Sequence, residues 1–393
     1  MSPALVVVAG YMLRMPLAGN VLAYFQHVLG LRRLGHRVIY IEESGWPQSS
    51  YDPTTGEYGD HPGRGLTVGR ALVNKYCPET PVVFVDREHG TVDGATAAQV
   101  RDWLRGCDLL LNIGAVCNLP EFELCRRRAM IDMDPLFTQA GRFGFSLLRE
   151  YHVRFTYGVN IGRPDCSLPT LGLDWMPSVP PVVLDLWELG TAPPGAPMTT
   201  VASWTAYGAV AYEGREYGQK DTEFLRLLEL PAQVGRPLEL ALTGASPDIR
   251  ERFRASGWRV REAADVSREI EDYRDYIAAS AGELSPAKHA YVATRSGWFS
   301  DRSATYLAAG RPVVVQDTGL RSWLALGSGV HTFCNVDEAA DAIHRVDADP
   351  EGEAEAAREI SAAYFDSDVV LSRLLDAATA TPASTARPTA EQA

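Results

Sequence analysis

Positive charge is scarce in this sequence of 393 residues. Lys and Arg number 37 against 50 Asp and Glu, which leaves a formal net charge of −13 at pH 7. A protein that binds a polyanion gains affinity by neutralising phosphates with a basic face. The one basic run, Arg126 to Arg128, is too short to supply such a face alone. We therefore expect neither nucleic acid nor an anionic membrane surface to be a partner.

Paired cysteines and long apolar segments are also lacking. The six cysteines are scattered without CxxC spacing, which is typical of reduced thiols. The first residues show neither the basic lead nor the cleavage region of a signal peptide. Of the two long uncharged stretches, 15–31 is amphipathic and 189–212 is interrupted by prolines. We therefore expect a cytoplasmic protein without a membrane span.

Strand and helix patterns alternate along the chain and predict an α/β protein with two domains. Buried strand runs at 5–8 and 37–41 flank a helical pattern at 21–34, and this order of strand, helix and strand is typical of a parallel sheet. Prolines crowd between about 160 and 197, as expected of a connection between domains. The predicted units are a first domain 1–177, a Pro-rich linker 178–198, a second domain 199–350, C-terminal helices 351–378 that pack back on the first domain, and a disordered tail 379–393.

Three local patterns complete this prediction. Residues 45–64 are rich in Pro, Gly, Tyr and Asp and indicate a long loop. The run 290–293 predicts a strand, followed by a loop, a helix over 301–309 and a strand over 313–316. The helical stretch 351–378 is expected to break near Phe365 and Asp366.

The strongest local motif runs from Arg295 to Ser303, between the predicted strand and helix. A helix N-terminus leaves backbone N–H groups unpaired and carries the positive end of the helix dipole, so it suits a phosphate group. Gly297 would let the backbone approach a ligand closely, and Arg295 and Arg302 would add charge. The alternative is structural: Ser300 or Asp301 is an N-cap and Trp298 belongs to the core.

The segment after this helix, Gly310-x-Pro312 followed by Val-Val-Val-Gln-Asp-Thr-Gly, resembles the nucleotide-sugar half of GT-B glycosyltransferases. Leu-Arg-Arg-Leu-Gly-His-x-Val at 31–38 resembles their acceptor domain. A closer resemblance, covering about 5–375, is to a bacterial group of glycosyltransferases. It rests on the motifs at 15–19, 134–139, 155–158, 160–165, 204–208, 217–220 and 295–302.

This resemblance implies two Rossmann-like domains facing across a cleft, and a transferase that moves a sugar from a nucleoside diphosphate sugar to a small-molecule acceptor. Lys220 and Lys288 would stabilise the leaving diphosphate, although each, taken alone, could be a surface lysine. The implied donor-binding residues are Lys220, Glu283, Lys288, Arg295, Ser296, Gly297, Ser300, Asp301, Arg302, Thr305, Gln316, Asp317 and Thr318. The implied acceptor-binding residues are Arg14, Pro16, Gly19 and Asn160.

Two departures from the GT-B pattern leave the chemistry open. GT-B enzymes usually hold the ribose with a Glu where this chain has Thr305, and many inverting members have a His in the loop that here spans 10–20 without one. His27 lies inside the next helix and is expected to be a core or surface residue. A second Glu eight residues from the first, common in retaining members, is also missing, which favours inversion.

Asp134 is the candidate base, because it ends a predicted strand where open α/β sheets bind ligands. Its alternative role is to cap the turn at Pro135. Asp132-x-Asp134 looks like a metal motif, but GT-B enzymes generally use helix dipoles and basic side chains, so we expect no metal or other cofactor. Two other functions stay open: a GT-B-fold nucleotide-sugar epimerase, and a non-catalytic protein that binds nucleotide sugars. The oligomeric state is not predicted.

Overall fold

The first half of the protein is a parallel sheet covered by helices. The computed structural model describes residues 3–142, 145–205 and 208–380. The elements of the first half are β1 (Leu5–Ala9), α1 (Ala18–Arg33), β2 (Arg37–Glu43), β3 (Ser50–Asp52), β4 (Glu57–Gly59), α2 (Gly63–Tyr76), β5 (Val82–Asp86), β6 (Thr91–Asp93), α3 (Ala97–Gly106), β7 (Leu109–Ile113), β8 (Arg128–Asp132), α4 (Phe145–Glu150), β9 (Val153–Thr156) and β10 (Met176–Pro177).

Eight of these strands form one sheet in the order β10-β9-β8-β7-β1-β2-β5-β6. Neighbours pair in parallel except β6, which runs antiparallel to β5 at the edge. Every residue of β7 is buried, as expected of a central strand with helices on both faces of its sheet. The helices begin where the sequence supplies caps: Thr96 and Gln99 form a reciprocal capping box at the start of α3.

The second half repeats this arrangement. Its elements are β11 (Met198–Ser203), β12 (Val210–Tyr212), β13 (Arg215–Tyr217), α5 (Asp221–Leu225), β14 (Leu238–Thr243), α6 (Pro247–Ala255), β15 (Arg259–Glu262), α7 (Ala264–Ser267), α8 (Ile270–Ala278), β16 (Gly282–Ser285), α9 (His289–Ala293), α10 (Asp301–Ala308), β17 (Val313–Gln316), β18 (Val330–Phe333) and α11 (Val336–Ala348). Six strands form a parallel sheet in the order β15-β14-β11-β16-β17-β18.

Two C-terminal helices, α12 (Pro350–Tyr364) and α13 (Ser367–Thr379), return to the first half. Gly30 of α1 lies against Leu371 and Ser367 of α13, where a Cβ would meet the Leu371 side chain at 2.5 Å. The break between the two helices falls at the predicted position. The expected tail 379–393 begins at the last residue of α13, and its residues 381–393 lie outside the described part.

The two halves share one apolar core. A single cluster of buried side chains runs from β1 and α1 through Phe299 and Leu307 to Phe365 and Leu371. Arg311 of the Gly-x-Pro motif is also buried, and it donates to the Ala278 carbonyl at 2.8 Å. Its guanidinium therefore caps the C-terminal carbonyls of α8.

Three predicted elements differ from the structure. The run 290–293 is helix α9 rather than a strand, because the strand comes earlier, at β16, and short apolar runs do not distinguish the two. Strand β2 continues two residues past the predicted run 37–41, so that Glu42 and Glu43 lie inside it and are buried. The predicted loop 45–64 contains the hairpin of β3 and β4. Within the described ranges, no helix is long and apolar enough to cross a membrane.

Candidate functional site

The carboxyl ends of the two sheets meet at a contact between charged side chains. Asp134 lies two residues after β8, and Lys288 directly precedes α9. Lys288 Nζ is 2.5 Å from Asp134 Oδ1, and the Tyr291 hydroxyl donates a hydrogen bond to the same oxygen. Open α/β sheets bind ligands at the carboxyl ends of their strands, so this contact marks the candidate site. Asp134 of the first half thus faces the second half.

Asp132 holds the loop that presents Asp134. Burial raises the pKa of Asp132. Its carboxylate accepts hydrogen bonds from Thr138 at 2.5 Å, Gln139 at 2.8 Å and Thr156 at 2.7 Å, and from the Asp134 backbone N–H at 3.0 Å. Both oxygens of Asp132 are therefore occupied. Among the described residues, no group of three or more His, Cys, Asp or Glu side chains is arranged to hold a metal ion.

The turn from Arg295 to Ser303 is fastened to the first half by Asn160. The Asn160 side chain donates to the carbonyls of Arg295 and Gly319, both at 3.0 Å, and its backbone N–H donates to the Ser296 carbonyl at 2.9 Å. Asn160 is fully buried. It therefore positions this turn and has no surface for an acceptor, which corrects the expectation that it binds one.

Gly297 is required by this packing. Its φ is +73°, and a Cβ would lie 2.8–2.9 Å from the Asn160 side chain. The glycine is thus explained by contact with Asn160, without any ligand. Arg295, with a φ of 51°, is exposed and lies 3.7 Å from Asp165.

Helix α10 begins at a polar cluster under the site. Ser300 caps the helix by accepting from the Arg302 backbone N–H at 3.2 Å. The Arg302 guanidinium donates to Glu283, to the Val201 carbonyl at 2.6 Å and to the Ser285 hydroxyl at 2.8 Å. Glu283 Oε2 is buried and has no hydrogen-bond partner in the described part of the chain. Burial raises the pKa of Asp301, the first residue of α10.

Lys220 is the least satisfied charge in this region. It follows β13 and is partly buried, and it makes no hydrogen bond or ion pair with any described residue. Burial, together with the charges of Arg302 and Lys288, lowers the pKa of Lys220 to about 7. The sequence has three lysines, so two of them lie here.

The other predicted donor residues are engaged within the second half. Thr305 is buried and donates to the Asp301 carbonyl at 2.9 Å, so its hydroxyl proton is already used. Asp317 Oδ1 accepts from the Gly319 backbone N–H at 2.8 Å. Thr318 donates to the Trp298 carbonyl at 2.7 Å. These side chains shape the loops of the site.

Gln316 contacts Glu223, a carboxylate that the sequence analysis did not identify. The Gln316 amide donates to Glu223 at 2.6 Å, and the Ala287 backbone N–H donates to Gln316 at 3.1 Å. The Glu223 side chain is fully buried, and it also lies 2.9 Å from His289 Nδ1. Glu223 is one of two acidic residues in the five-residue helix α5, and it gave no signal in the sequence. The other missed residue, Tyr291, stands in the run that was taken for a strand.

The loop at 10–20 in the first half was expected to bind the acceptor through Arg14, Pro16 and Gly19. Arg14 is fully buried, with Nε 3.2 Å from Glu42 Oε1, and Pro16 is also buried. These two residues support the loop and offer no surface to an acceptor, which corrects their predicted role. Gly19 lies at the boundary between the halves, where a Cβ would be 3.8 Å from the Tyr273 ring.

His27 is a core histidine, one of the two interpretations that its helical position left open. Burial lowers the pKa of His27 to about 4. Its Nδ1 lies 2.9 Å from the Ala23 carbonyl, and its Nε2 is 3.4 Å from the Tyr157 hydroxyl. Nδ1 therefore carries the proton and donates to the carbonyl.

Comparison with known proteins gives similarity of structure but not of sequence. No protein-family model matches the chain, and no curated protein matches it. A solved α-glucosyltransferase in complex with UDP and a 13-mer DNA matches with a TM-score of 0.58 at 10% identity, covering 96% of this chain and 100% of its own. AviGT4, a glycosyltransferase involved in avilamycin A biosynthesis, matches with a TM-score of 0.56 at 14% identity, covering 96% and 97%. The Anabaena protein HepE in complex with UDP matches with a TM-score of 0.54 at 12% identity, covering 96% and 100%.

This chain has the GT-B fold. The two Rossmann-like domains predicted from the sequence are confirmed, and they face each other across the contact between Asp134 and Lys288. In the GT-B fold, α10 and the loop before it belong to the second domain, and Asp134 belongs to the first.

Proposed function

We propose that this protein is a glycosyltransferase that moves a sugar from a nucleoside diphosphate sugar to a hydroxyl group of a small acceptor. One observation carries the proposal. The positive side chains of Lys220, Lys288 and Arg302 are gathered at the start of α10, and Asp134 of the other domain touches this group. A cationic pocket beside a carboxylate suits transfer from a diphosphate to a hydroxyl.

The donor would place its diphosphate at Lys220. The partly buried Lys220 amine, which no described residue pairs with, gains an ion pair when a phosphate arrives, and the N-terminus of α10 adds backbone N–H groups. Arg302 is already held by Glu283 and Ser285, so it acts through its charge and fixes the helix start. Lys288 can serve the diphosphate while it stays within reach of Asp134.

The chemistry is a single displacement that inverts the anomeric carbon. The acceptor oxygen forms a bond to that carbon, and the bond to the diphosphate oxygen breaks with its electron pair left on the diphosphate. The acceptor proton passes to the Asp134 carboxylate. Lys220, Lys288 and the start of α10 stabilise the charge on the diphosphate, so no metal ion is needed in this scheme.

A small acceptor fits the charge of the chain better than nucleic acid does. One structural neighbour was solved with DNA, but the net charge of −13 here opposes a polyanion. We therefore propose a small-molecule acceptor that binds against the first domain, and a cytoplasmic enzyme.

Binding and turnover test the proposal in two steps. The full chain is melted with UDP, GDP, TDP or ADP, and one of them should raise the melting temperature because it binds only the folded state. The matching nucleotide sugars are then incubated with the protein and a panel of small hydroxyl-bearing acceptors, and release of nucleoside diphosphate is measured. Binding without release supports the non-catalytic alternative, and isomerisation of the sugar supports the epimerase. If none of the four nucleotides binds, the proposal is wrong.

A further inference from the structure

The first domain has an exposed tryptophan, Trp46, shortly after the end of β2 in the sequence. Trp46 is 52% exposed, one of the few large apolar side chains on the surface described. Its ring stacks on Tyr11, with centroids 6.1 Å apart and an angle of 25° between the planes. The Arg14 guanidinium lies 4.5 Å from the Tyr11 centroid and 5.1 Å from the Trp46 centroid. Tyr11 and Arg14 therefore cover part of the indole, and the exposed remainder meets solvent.

The surrounding loop is built to hold Trp46 in this position. Arg14 is buried and its Nη1 has no hydrogen-bond partner among the described residues, so the aromatic faces are what it is packed against. Gly45, with a φ of +68°, has no room for a Cβ because Arg14 occupies that space. Gln48 also has a positive φ, of 53°, and its backbone N–H donates to Asp60 at 2.6 Å. Holding an exposed hydrophobic ring in one place with a non-glycine residue at positive φ costs stability, which indicates a ligand for that ring.

Trp46 and Asp134 lie on the same edge of the first sheet. Trp46 follows β2 by three residues and Asp134 follows β8 by two, both at the carboxyl ends of parallel strands. The strands between them are β7 and β1, so three inter-strand steps separate the two positions. At about 4.8 Å a step, this is a distance of about 14 Å along the edge. That span is longer than a single hexose ring.

We infer that Trp46 is an acceptor subsite that stacks on a sugar ring, and that the acceptor is an oligosaccharide or glycoside of at least two rings. This inference rests on the proposed function, with the reacting hydroxyl at Asp134. A pyranose has an apolar C–H face bordered by hydroxyls, which matches an exposed indole in a loop whose polar residues Gln48 and Asp60 are also exposed. A flat aromatic acceptor would gain more from a slot that covers both of its faces.

A glycan array tests the inference with the full-length protein, saturated with the nucleoside diphosphate that binds it among UDP, GDP, TDP and ADP. The array carries monosaccharides and di- to tetrasaccharides, and the aromatic aglycone 4-methylumbelliferone is tested beside it as an acceptor without a sugar. The wild type should bind one or more oligosaccharides and none of the monosaccharides. Trp46→Ala should weaken that binding at least tenfold, and Trp46→Phe should keep it within about threefold because a ring remains. Met176→Ala removes another exposed apolar side chain, on β10, and should change nothing.

Nucleoside diphosphate binding, followed by thermal shift in every variant, separates this inference from the proposed function. If none of UDP, GDP, TDP and ADP binds the wild type, the proposed function fails. If one of them binds but Trp46→Ala binds glycans as tightly as the wild type, the subsite is wrong while the function stands. Binding of 4-methylumbelliferone alone, or of no glycan on the array, also overturns the subsite.

Discussion

Replacement of Lys220 by Met should have opposite effects on stability and on donor binding. Met keeps the apolar stem and removes the charge, which in the unliganded protein has no partner among the described residues. The pKa of Lys220 is lowered from 10.5 to about 7, chiefly by burial. A buried charge without a partner destabilises the folded state, and a donor diphosphate supplies the partner. Lys220→Met should therefore stabilise the free protein and weaken UDP binding.

The sign of the pH dependence follows from this pKa. Between pH 7 and 10.5 the unfolded chain keeps a proton on Lys220 that the folded chain releases, so stability rises with pH through that window. In Lys220→Met this rise is absent. At pH 7 and below, the folded wild type carries the penalised charge, and the variant should melt at a higher temperature.

Donor binding should depend on pH in the opposite direction. With a pKa of about 7, Lys220 is half protonated at pH 7, but only about one molecule in a hundred is protonated at pH 9. UDP binds the protonated form, so its affinity should fall by up to about fiftyfold between these two values. The loss of one charge-assisted hydrogen bond costs about 1.5–3 kcal/mol, so Lys220→Met should weaken UDP binding roughly 10- to 150-fold at pH 7. In the Lys220→Met variant, UDP affinity should also lose its dependence on pH between 7 and 9.

The titration of Lys220 can be followed directly, because the sequence has only three lysines to label. Reductive methylation with ¹³C-formaldehyde labels three lysines and the amino terminus, and the signal missing in Lys220→Met should titrate with a midpoint near pH 7 and move upward when UDP is added. UDP affinity is measured by calorimetry at pH 7, 8 and 9. Lys75→Met is the control, because Lys75 is an exposed lysine on α2 of the first half. If Lys220→Met binds UDP as tightly as the wild type, or destabilises the free protein, Lys220 is a structural residue and the reasoning fails.

Three further predictions follow from the site. Asp134→Asn should lower kcat at least about a hundredfold while UDP affinity in calorimetry stays within a few-fold, since a general base acts in the transition state; a folded variant with most of its activity would make Asp134 structural. Asn160→Ala should lower the free energy of unfolding in urea by about 2–4 kcal/mol, because two buried carbonyls lose their donor. An unchanged midpoint of urea unfolding would contradict the stabilising role of these Asn160 contacts. Dialysis against EDTA should leave turnover within about twofold, because side-chain cations stabilise the leaving group, whereas a loss restored by Mg²⁺ would show a metal requirement.

The fold was predictable because its signals are local. Buried strand runs, helix stops such as Gly35 and the break near Phe365 each lie within a few residues of the element that they define. The one strand placed wrongly, at 290–293, is short and apolar, and in such a segment a strand and a helix have the same composition. Parallel sheets also need crossover connections, so the order of elements alone restricted the topology.

The site was less predictable because its contacts are distant in sequence. Asp134 and Lys288 were each candidates, but nothing in the sequence could show that they touch across 154 positions. Arg14 and Asn160 were expected to bind the acceptor because the resemblance to GT-B glycosyltransferases implied it. In the structure Arg14 and Asn160 satisfy buried carbonyls and a buried carboxylate instead. A sequence does not distinguish a polar side chain that faces a ligand from one that faces the backbone.

The same contacts make donor binding a property of both domains. The turn before α10 would be the phosphate-binding element of the second domain, yet Asn160 of the first domain holds its carbonyls, and Trp298 within it donates to the Met133 carbonyl at 3.1 Å. Asp132 in turn fixes the loop that carries Met133 and Asp134. A change in the first domain can therefore move the donor loop without touching the donor. Since one apolar cluster also runs through both halves, neither half alone contains the complete site.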